Sequence, residues 1–311
     1  MKNNFGLGSR DLEIAGRLAA RSFYESYSSV ALMAKRWKLF VIFLKKQTQI
    51  KHMEDITRAN VLAYGFSLKS RYEKKSLARK SLVNYVSAVN QILSIARSDE
   101  LLSVMPVRDL CLPKKLEPRI DRGARYSPEL CDKLKPNWNI LTKLQRHWGF
   151  RLEESGKLDA RAALEEVLAC GQLNVCKGTT AGKPRAVTLR DEAAQMNALR
   201  EAVELQGAGK SMIPADLDYK KFKAAAHNAA HYRGIRFHDG RHAFCQALYL
   251  RLTGWKAPLS LGLSKKKHMR LIMSEHGISE AEYRERDYQA RMTVSREVGH
   301  ERVSVTTAYL G

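Results

Sequence analysis

Apolar residues recur at helical spacing through the first third of the chain. Between Tyr27 and Gln47 they fall at steps of three and four, which predicts a helix with one apolar face, formed by Ala31, Ala34, Trp37, Val41 and Leu44. A second helix is predicted within 55–71, where Thr57 is a suitable N-cap. A third, over 76–98, has the clearest stripe: Leu82, Tyr85, Val89, Leu93 and Ala96. Residues 1–112 are therefore predicted to form a small helical bundle with a basic exterior.

The helical pattern stops at 113–125. Prolines, a glycine and several basic residues occur there without a helical or strand period, and proline disfavours regular pairing. The segment is predicted to be a basic interdomain linker, with Lys114 and Lys115 as candidate DNA contacts. A plain solvated tether is an equally good interpretation.

The remainder, 126–311, combines helices with one pair of strands. Leu173 and Val175 alternate with polar residues, and a second alternating stretch follows at 186–189, after a turn rich in glycine and threonine. Helices are predicted at 128–148, 191–205, 217–232 and 238–253. The predicted fold class is mainly α with a small β-sheet, in which a helical domain precedes an α+β domain.

Charge is the strongest compositional signal. The 54 Lys and Arg residues exceed the 32 Asp and Glu residues, which gives a formal net charge of +22. A polyanion partner is the natural inference, although a solubilising surface or an anionic membrane would also fit. With no apolar run long enough to span a bilayer and no signal-peptide pattern, we expect a soluble cytoplasmic, nucleoid-associated protein. The five scattered cysteines lack a CxxC pair and are expected to be reduced thiols.

Basic and titratable residues form a series of short motifs in the second domain. The motifs are "GFRLEESGKL" with Arg151 and Glu154, "VCKGTTAGKPRAVTL" with Lys177, Lys183 and Arg185, "FHDGRHAF" with His238, Arg241 and His242, and "VGHERVSVTTAYLG" with His300 and Tyr309. Each motif alone is more often a solvated turn or a structural residue. Cys245 follows His238 and His242 at helical spacing, but without a fourth ligand no metal site is predicted.

The order and spacing of these motifs resemble those of the tyrosine recombinase (phage integrase) family over nearly the whole chain. "GFRLEESGKL" is similar to the family's first-arginine box, and "FHDGRHAF" is similar to its HxLRH box, with Gly240 in place of leucine. "VGHERVSVTTAYLG" is similar to the Leu-Gly-His box and nucleophile, with nine residues from His300 to Tyr309 and Val298 in place of leucine. The lysine hairpin lies between the first two boxes, where the family keeps its catalytic lysine.

The resemblance implies strand cleavage and rejoining through a covalent 3′-phosphotyrosine, without metal or nucleotide cofactor. Guanidinium groups suit the phosphate oxygens of the transition state, which fits Arg151 and Arg241. Tyr309 would be the nucleophile, with His238 or His300 accepting its proton or holding the phosphate. Lys177 is our choice for the general acid and Lys183 its rival. Glu154 and His242 would support the site, and Lys183 and Arg185 would contact DNA phosphates.

The implied architecture is a helical core-binding (SAM-like) domain, 1–112, and a catalytic domain, 126–311, that clamp double-stranded DNA as a C shape. The resemblance further implies a tetramer on two attachment sites of a mobile element, with a DNA-bending protein and an excisionase as further partners, and no membrane. The alternatives are a type IB topoisomerase-like relaxing enzyme and a non-catalytic DNA-binding protein of the same fold.

The sequence departs from the family pattern in two places. Arg241 and His300 are 59 residues apart, more than is usual, which indicates an insertion within about 251–293. Its lysines, 265–267, suit either a DNA-facing or partner-facing addition or a solvated excursion. Only two residues follow Tyr309, whereas members of the family often have a longer C-terminal segment that docks on a neighbouring protomer. We expect either that this segment is absent here or that protomers assemble through other surfaces, such as the insertion.

Overall fold

The computed structural model describes residues 3–113 and 120–311 of the chain. The chain divides into two compact units, Met1–Glu117 and Pro118–Gly311. Lys114 and Lys115, two of the predicted DNA contacts, lie outside the described residues. Within the part that is described, no helix has both the length and the apolar character needed to cross a bilayer.

The first unit is helical, as its pattern predicts. Its helices are α1 (Leu12–Phe23), α2 (Tyr27–Gln47), α3 (Arg58–Glu73), α4 (Arg79–Arg97) and the single turn α5 (Pro106–Asp109), with a 3₁₀ turn at Met53–Asp55. Thr57 is the N-cap of α3, and its backbone N–H donates to Asn60 Oδ1 at 2.8 Å to complete a capping box. Helix α3 therefore begins directly after the residue that the sequence predicts as its N-cap.

The core of this unit differs from the predicted stripe at one end of α2. Trp37, Val41 and Leu44 are buried as predicted, but Ala31 is exposed and Met33 is buried in its place. Trp37 sets this arrangement, because its indole N–H donates to the carbonyl of Leu12 at 2.6 Å and its ring lies against Gly16 of α1. The packing of this one large ring against α1 thus decides which face of α2 is buried, and Ala31 lies outside that face.

The second unit is mainly helical with one two-stranded sheet, which confirms the predicted fold class. Its elements are α6 (Pro128–Cys131), α7 (Pro136–Trp148), α8 (Leu152–Lys157), α9 (Ala160–Cys170), β1 (Gln172–Val175), β2 (Arg185–Thr188), α10 (Glu192–Gln206), α11 (Tyr219–His231), α12 (Phe237–Thr253), α13 (Lys265–His276), α14 (Glu280–Glu297) and α15 (Val303–Leu310). The strands are antiparallel, with Leu173 opposite Val187.

Helices α7 and α12 pack closely at the centre of the second unit. A Cβ at Gly240 of α12 would lie 3.3 Å from both Gln145 Cβ and the Thr142 carbonyl oxygen of α7, tighter than ordinary side-chain contact. The small residue that replaces leucine in the "FHDGRH" motif therefore permits the close approach of these two helices. This approach brings the residues around 149–151 next to the start of α12.

The second half of the predicted linker has regular structure. Gly123–Arg125 form a 3₁₀ turn, and Gly123 is buried against Gln246 of α12. Proline and glycine excluded a long helix here, but they did not exclude one short turn with a packing partner.

The predicted insertion, 251–293, contains the end of α12, a 3₁₀ turn at Pro258–Leu261, α13 and most of α14. Trp255, His268 and Tyr283 are buried within it, and the Trp255 and Tyr283 rings are stacked with centroids 5.3 Å apart. It is thus part of the hydrophobic core rather than a solvated excursion, and α14 leads directly to the Gly-His motif.

Candidate active site

The Glu154 carboxylate lies at the centre of a cluster of three arginines. Arg185 donates to it from both Nη1 and Nη2 at 2.7 Å, and Arg151 donates from Nη1 at 2.7 Å. The Arg151 backbone N–H also donates to Glu154 at 2.6 Å, and Arg241 Nη1 lies 3.6 Å from it. Three guanidinium groups thus share one carboxylate, so the cluster carries an excess of positive charge.

Burial and charge act in opposite directions on Glu154. Desolvation alone would raise the pKa of this carboxyl group, but hydrogen bonds and charge from Arg185, and then the charge of Arg241, lower it below the ordinary value. Burial also lowers the pKa of Arg185, against the attraction of Glu154. Glu154 is therefore ionised at neutral pH and fixes the arginines around it.

Arg241 is fully buried and is held by backbone carbonyls. Its Nη1 donates to the Gly149 carbonyl at 2.5 Å, and its Nη2 donates to the Val298 carbonyl, which also accepts from Arg151 Nη2 at 3.3 Å. Gly149 ends α7 at φ 64°, where a Cβ would meet the Phe244 ring at 2.5 Å. Arg151 keeps 21% of its side chain exposed, so it is the arginine of the cluster that reaches solvent.

Tyr309 lies in the same site although 68 residues separate it from Arg241. Its hydroxyl is 3.4 Å from Arg241 Nε, and only 5% of the residue is exposed. The Arg241 guanidinium also lies over the tyrosine ring, 5.9 Å from its centroid. The phenol predicted to be the nucleophile is therefore in contact with an arginine of the same chain.

Two histidines of α12 face the Tyr309 ring. The His242 ring centroid lies 4.6 Å from that of Tyr309, and the His238 centroid lies 6.1 Å away. Desolvation by neighbouring groups, followed by the charge of Arg241, lowers the pKa of His238 to about 4, although part of the residue is open to solvent. Burial and His238 lower the pKa of His242 to about 3. Both rings are neutral at neutral pH, so each has a nitrogen able to accept a proton.

His300 follows Gly299, at a backbone position that favours glycine. Gly299 has φ 71°, and a Cβ there would lie 3.2 Å from Arg185 Cδ. The Ser295 hydroxyl donates to the His300 carbonyl at 3.0 Å and fixes the loop after α14. Burial, followed by the charges of Arg151 and Arg241, lowers the pKa of His300 to about 4. The cluster therefore keeps this imidazole neutral as well.

The two hairpin lysines differ in position. Lys183 is exposed and lines a groove together with Arg185, His300 and Arg302, with its Nζ 3.9 Å from Glu301. Lys177 lies two residues after the end of β1, is exposed, and is near Asp159. The pKa of Asp159 is lowered first by a hydrogen bond from Gln206 and more weakly by the charge of Lys177. The rival acid Lys183 is thus the lysine that lines the groove beside His300.

The structure corrects the prediction that Arg185 contacts DNA. This residue is 7% exposed, binds Glu154 with both terminal nitrogens, and donates from Nε to the Glu297 carbonyl at 2.6 Å. It occupies an inward position of β2, on the same face as Val187. The alternation of strand residues was the signal that could have identified it, since a charged side chain on the inner face needs a buried partner.

Sequence reasoning also missed the backbone acceptors. The carbonyls of Gly149, Glu297 and Val298 hold Arg241, Arg185 and Arg151, and no side-chain pattern encodes such contacts. Together these elements form a positively charged pocket that holds a phenol and neutral imidazoles. Such a pocket is suited to an oxyanion whose charge increases during nucleophilic attack.

Comparison with solved structures identifies the fold. The integrase of the Tn1549 transposon in complex with circular intermediate DNA matches with a TM-score of 0.60 and 10% identity over 97% of this chain and 96% of that chain. A lambda integrase dimer bound to a COC′ core site matches with a TM-score of 0.55 and 14% identity over 94% and 95%. A lambda integrase tetramer bound to a Holliday junction matches with a TM-score of 0.51 and 16% identity over 76% and 68%.

The sequence itself gives no such match. No family model matches it, and no curated protein is similar to it at a significant level. At 10–16% identity the structural matches establish the fold alone. The chain has the fold of the tyrosine recombinases and integrases, as its motif order predicts.

Proposed function

We propose, on the premise of this tyrosine recombinase fold, that the protein is a site-specific DNA recombinase. It cuts and rejoins DNA through a covalent bond between Tyr309 and a 3′-phosphate, and it serves the integration or excision of a mobile element. The proposed substrate is double-stranded DNA carrying attachment sites, and the proposed active form is a tetramer. The solved structures with this fold are themselves bound to core-site DNA, circular intermediate DNA or a Holliday junction.

The observation that carries the proposal is the contact between the Tyr309 hydroxyl and Arg241 Nε at 3.4 Å. A phenol that attacks a phosphodiester must approach phosphorus while guanidinium groups bind the nonbridging oxygens. Arg241, which contacts the phenol and belongs to the arginine cluster, fits this geometry. A purely structural tyrosine would not need an excess of buried positive charge beside its hydroxyl.

The role proposed for each side chain follows from its charge and protonation at neutral pH. Arg151 and Arg241 would bind the phosphate oxygens, since a guanidinium stays charged throughout the reaction. His238 and His300, neutral at neutral pH, would accept the proton of Tyr309 or hydrogen-bond the phosphate. A hairpin lysine would protonate the departing 5′ oxygen. Because the phosphotyrosine bond conserves the energy of the broken phosphodiester, resealing needs no nucleotide cofactor.

The test is to trap the covalent intermediate on a library of DNA sequences, so that the protein itself selects the attachment site. A pool of duplexes with a randomised centre and a 5′-bridging sulfur at successive positions would be incubated with the protein, because a departing thiolate cannot easily reverse the cleavage. We expect a protein–DNA adduct that survives denaturing electrophoresis, and sequencing of the trapped strands would reveal the preferred site.

The matched variants for this test are Tyr309→Phe and Tyr288→Phe. Tyr309→Phe removes one hydroxyl and should abolish the adduct, whereas Tyr288 is half exposed on α14 and its variant should behave as wild type. An adduct that persists in Tyr309→Phe would refute the proposal. Site-independent relaxation of supercoiled DNA would instead favour a topoisomerase, and DNA binding without any adduct would favour a non-catalytic binding protein.

A further inference from the structure

Helix α12 presents one stripe of side chains to Tyr309 over three successive turns. His238, His242 and Gln246 are spaced by four residues, so they lie on the same face of the helix. The two histidines face the phenol ring. Gln246, which is half-buried, instead reaches the backbone: its Nε2 donates to the Tyr309 carbonyl at 3.2 Å. The stripe therefore contacts both the ring and the main chain of one residue.

The carbonyl of Tyr309 requires a partner of this kind. It lies in the last turn of α15, which ends at Leu310, and carbonyls in the last turn of a helix have no intrahelical donor. A side-chain amide is well suited to supply the missing hydrogen bond. Gln246 thereby ties the turn that bears the proposed nucleophile to the helix that bears Arg241.

Gln246 is itself held from the other side. Its Nε2 also donates to Asp121 Oδ1 at 2.7 Å. Gly123 packs so closely that a Cβ there would lie 2.1 Å from Gln246 Oε1 and 2.6 Å from its Cδ. The segment 120–125 thus confines the amide to one position, and that position points one amide hydrogen at Asp121 and the other at Tyr309.

We propose that Gln246 is a positioning residue for the nucleophile, anchored by Asp121 and confined by Gly123. By holding the main chain of Tyr309, it keeps the phenol hydroxyl beside Arg241. This inference rests on the function proposed above only for its effect on cleavage. Its effect on the last turn of α15 is a property of the DNA-free protein and can be measured separately.

The first experiment measures hydrogen exchange of the segment 303–311 in the whole DNA-free chain. In Gln246→Ala we expect amides of this segment to exchange about fivefold faster, as expected for the loss of one hydrogen bond of ordinary strength. Gln289→Ala is the matched control, because Gln289 is an exposed glutamine whose amide bonds only Glu285 within its own helix. Unchanged exchange in Gln246→Ala would overturn the proposal, whether or not the protein cuts DNA.

A second variant displaces the Gln246 side chain by a substitution at a neighbouring residue, Gly123. Gly123→Ala would push the flexible end of the Gln246 side chain out of its seat, so it should accelerate exchange in 303–311 as Gln246→Ala does. In the trapping assay at saturating DNA, both variants should form adduct about tenfold more slowly with unchanged DNA affinity. A loss of DNA affinity with an unchanged rate of adduct formation would contradict a positioning role.

A double variant separates positioning from mere packing. In Asp121→Asn/Gln246→Glu the new amide can donate to the new carboxylate, so the contact between 121 and 246 is restored, but residue 246 has no N–H for the Tyr309 carbonyl. We expect restored thermal stability together with slow adduct formation and fast exchange in 303–311. Wild-type rates of adduct formation and of exchange in 303–311 would show that Gln246 acts only through its packing contact with residue 121. If wild-type protein forms no adduct on any DNA, the proposed function fails, while the exchange measurement still decides the role of Gln246.

Discussion

At the scale of single residues, Glu154 and Arg185 organise the site without a part in the proposed chemistry. The carboxylate is 1% exposed and accepts hydrogen bonds from two arginine side chains. Removing one member of a buried ion pair leaves a charge without compensation, which is far more costly than losing an exposed pair. Arg185 is the arginine of the cluster that is not proposed to bind the phosphate. Its substitution should therefore change the stability of the fold and not the proposed reaction directly.

We therefore predict that Arg185→Met lowers the free energy of unfolding by about 3 kcal/mol. Lys183→Met, two residues earlier and exposed, should change it by less than about 0.5 kcal/mol. Urea denaturation of both variants would measure the difference. Equal stability of the two would mean that Arg151 and Arg241 compensate Glu154 fully, and would contradict an organising role for Arg185.

At the scale of elements, the β-hairpin buries one face of its two strands and exposes its lysines. Val187 is fully buried, whereas Lys177 and Lys183 lie beyond the paired residues. Lys183 lies near Glu301, while Lys177 makes no hydrogen bond or ion pair within 3–113 and 120–311. An amine that lies near the Asp159 carboxylate without bonding to it is better placed to move to the leaving group of a bound DNA strand.

We accordingly expect Lys177→Ala to slow cleavage of ordinary DNA by about 10²-fold or more, as loss of a general acid does. DNA with a 5′-bridging sulfur should be cut by this variant at nearly the wild-type rate, because a departing thiolate needs no proton. Lys183→Ala should be slowed less and should show no such rescue. Rescue of Lys183→Ala alone would assign the acid to Lys183, the lysine that lines the groove.

These cases show what the sequence could and could not predict. The identities, order and spacing of Arg151, Arg241, His300 and Tyr309 sufficed to predict that they share a site, because they resemble the motif series of the tyrosine recombinases. Helix periodicity located α2 and α12 well. Backbone acceptors such as the Val298 carbonyl were beyond prediction, since they depend on how α14 ends in three dimensions.

Arg185 and Ala31 failed for different physical reasons. The charge of Arg185 suggests a surface position, whereas the alternation of β2 places it on the inward face with Val187. Ala31 fits the helical period of α2, but a large ring at Trp37 determined which face packs. In both residues a tertiary partner outweighed the local pattern.

At the scale of the whole molecule, the net charge of +22 dominates the expected interaction with DNA. Each phosphate neutralised by Lys or Arg releases counterions, so affinity should fall steeply with salt. We predict a loss of about 10³-fold or more in affinity for duplex DNA between 50 and 200 mM salt, measured by fluorescence anisotropy.

The control for this prediction is Arg151→Ala. It removes a single partly exposed charge, so it should abolish adduct formation while leaving the salt dependence of binding nearly unchanged. If affinity in this variant fell as steeply as adduct formation, Arg151 would belong to the general electrostatic footprint and not to the reaction.

The contacts of the arginine cluster span long stretches of sequence, and this has a consequence for how the protein is made. Arg151 bonds a carbonyl 147 residues later, Arg241 bonds one 92 residues earlier, and Tyr309 meets Arg241 across 68 residues. All the described partners of the phenol precede it in the chain, so a ribosome releases every other part of the pocket first. Contacts of such separation require the closure of long loops, which slows folding. A chain still in synthesis would thus carry its basic surfaces before its proposed nucleophile, so we expect it to hold DNA before it could break DNA.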